Sequence, residues 1–449
     1  MASLPKKACN FACENLETPD MKRIFLLLAI LFCAGATVPS FAQTDKIPYN
    51  PDALNSNEYP TQICDSLSDS TIVQSLPLPE RFRIRMDSLI ENTEMCKVSQ
   101  AGILFYDITD DTILYDYGSR QVMRPASVMK TMTAITALDR LGVNYEYKTR
   151  LYCKGEIKDS VLLGDLYIVA GYDPRFDSDD MQAFVKAIEA EGIRAIGGNI
   201  YADVSIKDTL SLGRGWIWHW KYDEIPTLPL LYNSKPCFME KFMEALDADS
   251  IAHPFSYACT ELPKDSIKLL STRTHTIDEI LLQMLKDSDN QYAESLFWQL
   301  AALDGKAYPS YEHGAKYVED HIRRNLHLNP HDYTIADGSG LSVYDCLSPQ
   351  LIVENLLFAW RNPKIYNHFY PCLPVGGEDG TLAKRMKNEY TIGNIHAKTG
   401  SVARVITLAG YCRTYEGHDI VFALMHNGIS SDNRTRNWDD EALRLLTAP

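Results

Sequence analysis

Three short words lie in order along the chain: Ser127-Val128-Met129-Lys130, Ser288-Asp289-Asn290 and Lys398-Thr399-Gly400. Ser127 opens a helical segment, and a lysine three residues on lies on the same helical face. A serine hydroxyl needs a base to become a nucleophile, and a desolvated lysine beside other cations loses its proton near neutral pH. At a helix N-terminus the Ser127 N–H also points toward developing negative charge. In the second word, Ser288 offers a hydroxyl for proton relay, and Asn290 an amide to hold a carbonyl and bond the lysine. Asp289 is expected to point away and brace the loop, with Ser288 also suited to cap the following helix. In the third word, Lys398 supplies positive charge and Thr399 a hydroxyl, enough to grip a carboxylate. Gly400 lets the backbone approach a ligand, and the Ser401 N–H is a second oxyanion donor. Each word alone recurs by chance. Together they describe acyl transfer from an amide to serine.

The elements that must position these groups follow from periodicity. A helix is expected from Pro79 to about Glu94, then a hairpin of 101–107 and 113–117, then the Ser127 helix ending near Gly142. Strand-like segments at 151–155 and 161–172, a helix over 179–191 and a strand over 199–204 read as a small α/β insert. The stretch 206–272 is aromatic-rich and shows no clear period. Helices are expected at 276–286, 288–303, 310–324 and 349–360, the last with Ser348 as N-cap and Pro349 at its first position. Three adjacent antiparallel strands (394–398, 402–413, 419–427) and a helix over 432–446 close the chain. The expected fold is therefore α+β. One antiparallel sheet flanked by helices is built from 79–145 and 273–449, interrupted by an inserted α/β domain at 146–272.

Composition narrows the classes. The chain has 449 residues, 45% hydrophobic and 23% charged, an ordinary globular make-up with length for two or three domains. Its formal charge of −15 and lack of a basic run leave nucleic-acid binding without an electrostatic footprint. No HExxH or other paired metal-ligand spacing occurs, so no metal is expected.

Met21-Lys22-Arg23, the apolar run Ile24–Val38 and the small-x-small end at Ser40-Phe41-Ala42 make a secretory signal peptide over 21–42, with cleavage after Ala42. Residues 1–20 read as a start-site artefact, and 43–78 as a flexible, polar leader. The apolar run is too short to span a bilayer comfortably, and Phe32 before Cys33 does not suit lipid attachment. An exported, periplasmic protein, at most loosely membrane-associated, is expected. Eight cysteines remain after cleavage; they are scattered and allow 105 pairings, so disulfides and buried free thiols stay equally open.

The three words, in this order, resemble those of the low-molecular-mass class C penicillin-binding proteins, the D-alanyl-D-alanine carboxypeptidase/endopeptidase family of the serine β-lactamase/transpeptidase-like superfamily. The stretches Gly164–Pro174, Gly198–Asp203, Asp337–Ser342 and Leu373–Leu382 carry the likeness over roughly residues 80–446. It implies that Ser127 attacks the carbonyl of a penultimate D-alanine and that Lys130 is the base. Ser288 and Asn290 would form a proton relay and substrate clamp, and Lys398 and Thr399 would hold the terminal carboxylate. Peptidoglycan stem peptides are then the substrate, β-lactams covalent inhibitors, and no cofactor is implied. The family's large insertion between the first two words is present but shorter than two full insert domains. A β-lactamase would share the fold, yet no ExxLN-like word follows Ser288-Asp289-Asn290. A wall-binding protein without turnover is the non-enzymatic alternative.

Overall fold

The computed structural model describes residues 71–217 and 227–449. The start-site, signal-peptide and Cys33 expectations, and the leader up to residue 70, fall outside the described residues. The leader's last part is helical: one turn, Thr71–Gln74, precedes helix α1 (Leu78–Glu91). Helix α1 ends three residues short of Glu94 because Asn92 closes it with a side-chain bond to the Ser88 carbonyl.

Strands β1 (Gln100–Asp107) and β2 (Thr112–Tyr117) form the expected hairpin. A 3₁₀ turn, Ala126–Val128, leads into α2 (Met129–Arg140). A second sheet follows: β3 (Glu146–Lys158), β4 (Val161–Val169), the short β5 (Ala195–Ile196), β6 (Ile200–Asp203), β7 (Tyr257–Cys259) and β8 (Lys268–Thr276). Helices α3 (Ser178–Ala190) and α4 (Phe238–Ala248) lie among these strands. Then come α5 (Ile277–Lys286), α6 (Asn290–Ala301), α7 (Tyr311–Arg324), α8 (Pro349–Arg361) and α9 (Pro363–Phe369). Strands β9 (His396–Val402), β10 (Val405–Arg413) and β11 (Asp419–Asn427) and helix α10 (Asp432–Thr447) close the chain.

The first sheet runs β2-β1-β11-β10-β9, antiparallel throughout, so the two chain ends interleave and β9 is an edge. Its three central strands, β1, β11 and β10, are apolar on both faces, and the period-2 alternation splits their side chains between two cores. Ala423, Met425 and Tyr411 face α2, α5, α6 and α8, whereas Phe422, Leu424 and Leu408 face α1 and α10. Helix α2 is buried on every side from Met129 to Leu138, not only along its apolar stripe. Two of its threonines are accommodated by bonds, Thr131 Oγ1 to the Val128 carbonyl at 2.8 Å and Thr133 Oγ1 to the Gly338 carbonyl at 2.7 Å.

The second sheet runs β7-β6-β4-β3-β8 with β5 beside β4; β3 is antiparallel to both neighbours, and β4, β6 and β7 are parallel. Helices α3 and α4 cover one of its faces through Phe184, Ile188, Phe238 and Phe242 against Leu151, Leu166 and Ile168. Two corrections arise here. The stretch 206–272, unread in the sequence, contains α4, β7 and the start of β8. Strand β8 runs on to Thr276, where a Thr276–Glu279 capping box starts α5 directly. The seven described cysteines, Cys96, Cys153, Cys237, Cys259, Cys346, Cys372 and Cys412, are all free thiols. Among the described residues no helix is long and apolar enough to cross a membrane.

Candidate active site

The sequence's three words converge. Ser127 sits in the 3₁₀ turn that feeds α2, directly after Ala126, whose φ of +47° is left-handed. Such a conformation in a residue with a side chain costs about 1–3 kcal/mol and persists only where surroundings impose it. One turn on, Lys130 is wholly buried. Its Nζ donates to Ser127 Oγ (3.0 Å), Asn290 Oδ1 (2.7 Å) and the Ser339 carbonyl (2.9 Å). Three acceptors match the three N–H bonds of an ammonium. Loss of the proton facing Ser127 leaves a lone pair aimed at Oγ with the other two bonds intact. Burial pulls the Lys130 ammonium down to about 8, while Asp337, Glu294, Asp289 and Asp345 pull the other way.

Lys398, also wholly buried on β9, donates to Ser288 Oγ (2.7 Å) and to the Thr399 carbonyl (2.8 Å). Burial, and then the neighbouring charge of Lys130, push its proton affinity well below that of a free lysine. Two ammonium groups thus share one dry pocket and titrate as a pair.

Strand β9 reaches the serine through Gly400, where a Cβ would lie 2.9 Å from the Ser127 backbone nitrogen and 2.1 Å from Thr407 Oγ1. Thr399 and Ser401 occupy the alternate face of the strand. Thr399 Oγ1 meets Thr381 Oγ1 at 2.7 Å, and Ser401 Oγ accepts from Arg436 at 3.1 Å.

The middle word needed one correction. Ser288, with φ +62°, is not the helix cap. Asp289 caps α6 by accepting from the N–H groups of Gln291 (2.8 Å) and Tyr292 (3.2 Å), which starts the helix at Asn290 and frees the Ser288 hydroxyl for Lys398.

The sequence marks the Asp337–Ser342 loop through the family likeness, but not what its groups do behind Lys130, nor Glu294 and Asp345. The Ser339 carbonyl is held there by Asp337. Its Oδ1 accepts from the N–H of Ser339 (3.0 Å) and Gly340 (2.7 Å), and its Oδ2 from Ser342 N–H and Trp216 Nε1 (2.7 and 2.8 Å). Glu294, one helical turn after Asn290, accepts from Gly338 N–H at 3.1 Å. Burial and then Asp337 raise its carboxyl to about 8. Asp345 is likewise raised by burial and by Asp337, and accepts from Ala336 N–H at 2.7 Å. The i, i+4 spacing of Asn290 and Glu294 on one helix face was the available signal.

The arrangement can activate a hydroxyl, hold a carbonyl and receive an anion, the requirements of acyl transfer. Comparison with known proteins agrees. The profile of the D-Ala-D-Ala carboxypeptidase 3 (S13) family matches residues 82–226 and 231–448. The D-alanyl-D-alanine carboxypeptidase DacB of Haemophilus influenzae is 23% identical, over 83% of this chain and 94% of that protein. The crystal structure of penicillin binding protein 4 from Haemophilus influenzae superposes with a TM-score of 0.72 at 22% identity, covering 80% of this chain and 98% of that one. A predatory peptidoglycan endopeptidase of Bdellovibrio bacteriovorus shares the fold at TM-score 0.53 and 17% identity, over 78% and 92% of the two chains. With the profile spanning most of its length, the chain belongs to the D-Ala-D-Ala carboxypeptidase 3 (S13) family.

Proposed function

We propose that this protein is an exported serine D-alanyl-D-alanine carboxypeptidase, also able to cut D-alanyl cross-links, acting on peptidoglycan stem peptides through an acyl-enzyme on Ser127. The observation that carries the proposal is the Lys130 Nζ held between Ser127 Oγ and Asn290 Oδ1, with the Lys398–Ser288 pair beside it. The signal-peptide pattern at 21–42 supports export.

Binding comes first. The terminal carboxylate of the peptide meets Lys398 and Thr399 and favours the charged form of Lys398. That charge, unable to share the dry pocket with a second ammonium, keeps Lys130 neutral. Lys130 then takes the Ser127 proton as Oγ bonds to the penultimate carbonyl carbon. The oxyanion is received by the N–H groups of Ser127 and Ser401, each such donor being worth about 3 kcal/mol in other enzymes. Collapse breaks the C–N bond. The leaving amine takes its proton from Ser288, which is reprotonated from the lysine pair, and D-alanine departs. Water attacks the ester with Lys130 as base, returning Ser127 and a shortened peptide. Asn290 holds the acyl-side amide throughout. A β-lactam enters by the same attack; its ring-opened amine stays attached, so it remains as an ester.

The test uses a D-Ala-D-Ala pentapeptide and a fluorescent penicillin. D-alanine release and a persistent label, both abolished in a folded Ser127→Ala variant, are expected. A label shed within seconds makes the protein a β-lactamase. A folded wild type that neither labels nor turns over is a binder only.

A further inference from the structure

Among the described residues, helices α3 and α4 cover one face of the second sheet. The other face carries a transverse row set by the strand register: Leu269 lies opposite Tyr152, Tyr152 opposite Tyr167, and Tyr167 opposite Tyr201. Tyr201 is stacked on Tyr167 with ring centroids 5.1 Å apart. Tyr167 is buried between its neighbours, Tyr152 and Tyr201 are half-buried, and Leu269 is 49% exposed. The hydroxyls of Tyr152 and Tyr201 make no hydrogen bond to other described residues, so each presents an apolar ring with a free polar edge.

Along β3 the same face carries Lys148, Arg150 and Tyr152, because alternate residues point the same way. Lys148 and Arg150 lead from the tyrosine row into a cleft of about 830 Å³, lined also by the C-terminal end of α2, by Gln299 and by Lys364 near the start of α9. Five charged side chains line it: Asp139, Glu146, Lys148, Arg150 and Lys364. Lys148 is 3.4 Å from Glu146, and Asp139 accepts from Asn325 Nδ2 at 3.1 Å. Arg150 and Lys364 have neither an ion pair nor a side-chain hydrogen bond among the described residues. Arg150 and Lys364 thus face the cleft without a direct ion partner, and its cations outnumber its carboxylates three to two in a chain of net charge −15. The cleft borders Leu138, eleven residues along the chain from Ser127, so the helical rise puts it roughly 16 Å from the nucleophile. It is a separate site.

We infer that this cleft and the tyrosine row form a groove for the peptidoglycan strand itself, an extended chain of pyranoses whose peptide substituents end in carboxylates. The sugar faces lie on Tyr152 and Tyr201, and the carboxylates of neighbouring stem peptides meet Arg150 and Lys364. The inference rests on the peptidoglycan reading of the Ser127 site and deepens it: the second sheet selects polymer over free peptide. An acidic protein approaching an anionic wall gains most from cations placed where the polymer lies.

The experiment compares the full exported protein with Arg150→Glu/Lys364→Glu and Tyr152→Ala/Tyr201→Ala variants in two assays. One is D-alanine release from a soluble pentapeptide; the other is co-sedimentation with, and D-alanine release from, insoluble peptidoglycan sacculi. Soluble-peptide turnover is expected within about twofold of wild type, because neither pair touches Ser127. Two lost ion pairs at a partly exposed site predict roughly a tenfold loss of sacculus binding and turnover for the charge reversal. Wild-type binding should itself weaken as salt rises from about 50 to about 300 mM. Unchanged sedimentation of both variants, or equal loss on soluble and insoluble substrates, overturns the groove. A wild type inert toward the soluble peptide sinks the catalytic reading instead, and sedimentation still decides this one.

Discussion

Gly340 presses its α-carbon against the carbonyl of Ala126: a Cβ there would lie 1.8 Å from that oxygen and 2.9 Å from Met129 Cβ. The loop that supplies the Ser339 carbonyl to Lys130 is thereby seated on the backbone immediately before the nucleophile. Gly340→Ala must move one of the two, and at φ +79° the alanine is also strained. Displacing a reacting group by about 1 Å costs around a hundredfold in rate. Penicillin acylation of this variant should fall by that order while the far-ultraviolet circular dichroism stays native. Gly192→Ala is the control. It has φ +75° but nothing within 4 Å, so it should lose only about 1 kcal/mol of stability and label normally.

Lys398→Ala separates binding from activation. The lysine bonds Ser288 and no carboxylate, and has one N–H left for a ligand among the described residues. A lost charge-assisted bond is worth about 1.5–3 kcal/mol, or roughly ten- to a hundredfold in kcat/KM on a peptide with a free C-terminal carboxylate. On the C-terminally amidated analogue the loss should be several-fold smaller. Equal losses on the two peptides would show that Lys398 acts only on Ser288 and Lys130.

Much of this site was legible because its groups come from short words whose local geometry is fixed by their own residues. Ser127 and Lys130 share a helical face by spacing alone, and Lys398 alternates with Thr399 by strand period. The carbonyl of Ser339 could not be read, because a backbone oxygen has no sequence signature and is placed by Asp337 from within its own turn. The cap of α6 went to Asp289 over Ser288 because Ser288 adopts a left-handed backbone. In the second sheet, Phe238, Met239, Phe242 and Leu246 do carry a helical period, but among neighbouring tyrosines, tryptophans and prolines it was lost. Strand β7 has three exposed residues and no alternation at all; only pairing with β6 makes it a strand.

Glu294 gives the pH profile a recognisable shape. Acylation needs neutral Lys130, so its rate should rise with pH through about 8, where burial has brought the lysine. The Glu294 carboxyl, raised to about 8 by burial and by Asp337, becomes an anion over the same range. As it ionises, its charge favours the ammonium and delays the last part of the rise. Glu294→Gln keeps an oxygen for Gly338 N–H and never ionises. The rise should therefore finish at lower pH, with little change on the acid side, where Glu294 is already neutral. Stopped-flow acylation across pH reads this directly; a rise moved to higher pH would contradict the sign.

Asp337→Asn tests whether the loop depends on charge or on shape. The asparagine oxygen can serve Ser339 and Gly340, but its NH₂ then faces two more donors, Ser342 N–H and Trp216 Nε1. No rotation of the amide satisfies all four. A buried donor left without an acceptor costs about 1–3 kcal/mol, so the variant should lose roughly 2–5 kcal/mol in urea unfolding. Trp216 lies in the insert, between β6 and α4, whereas Asp337 lies between α7 and α8. Loss of their bond should therefore also be felt where the insert meets the catalytic sheet. The indole of Trp216 should become more accessible to an acrylamide quencher in the native state. A variant with wild-type stability and quenching would mean that Asp337 holds the Ser339 carbonyl through neither of its oxygens.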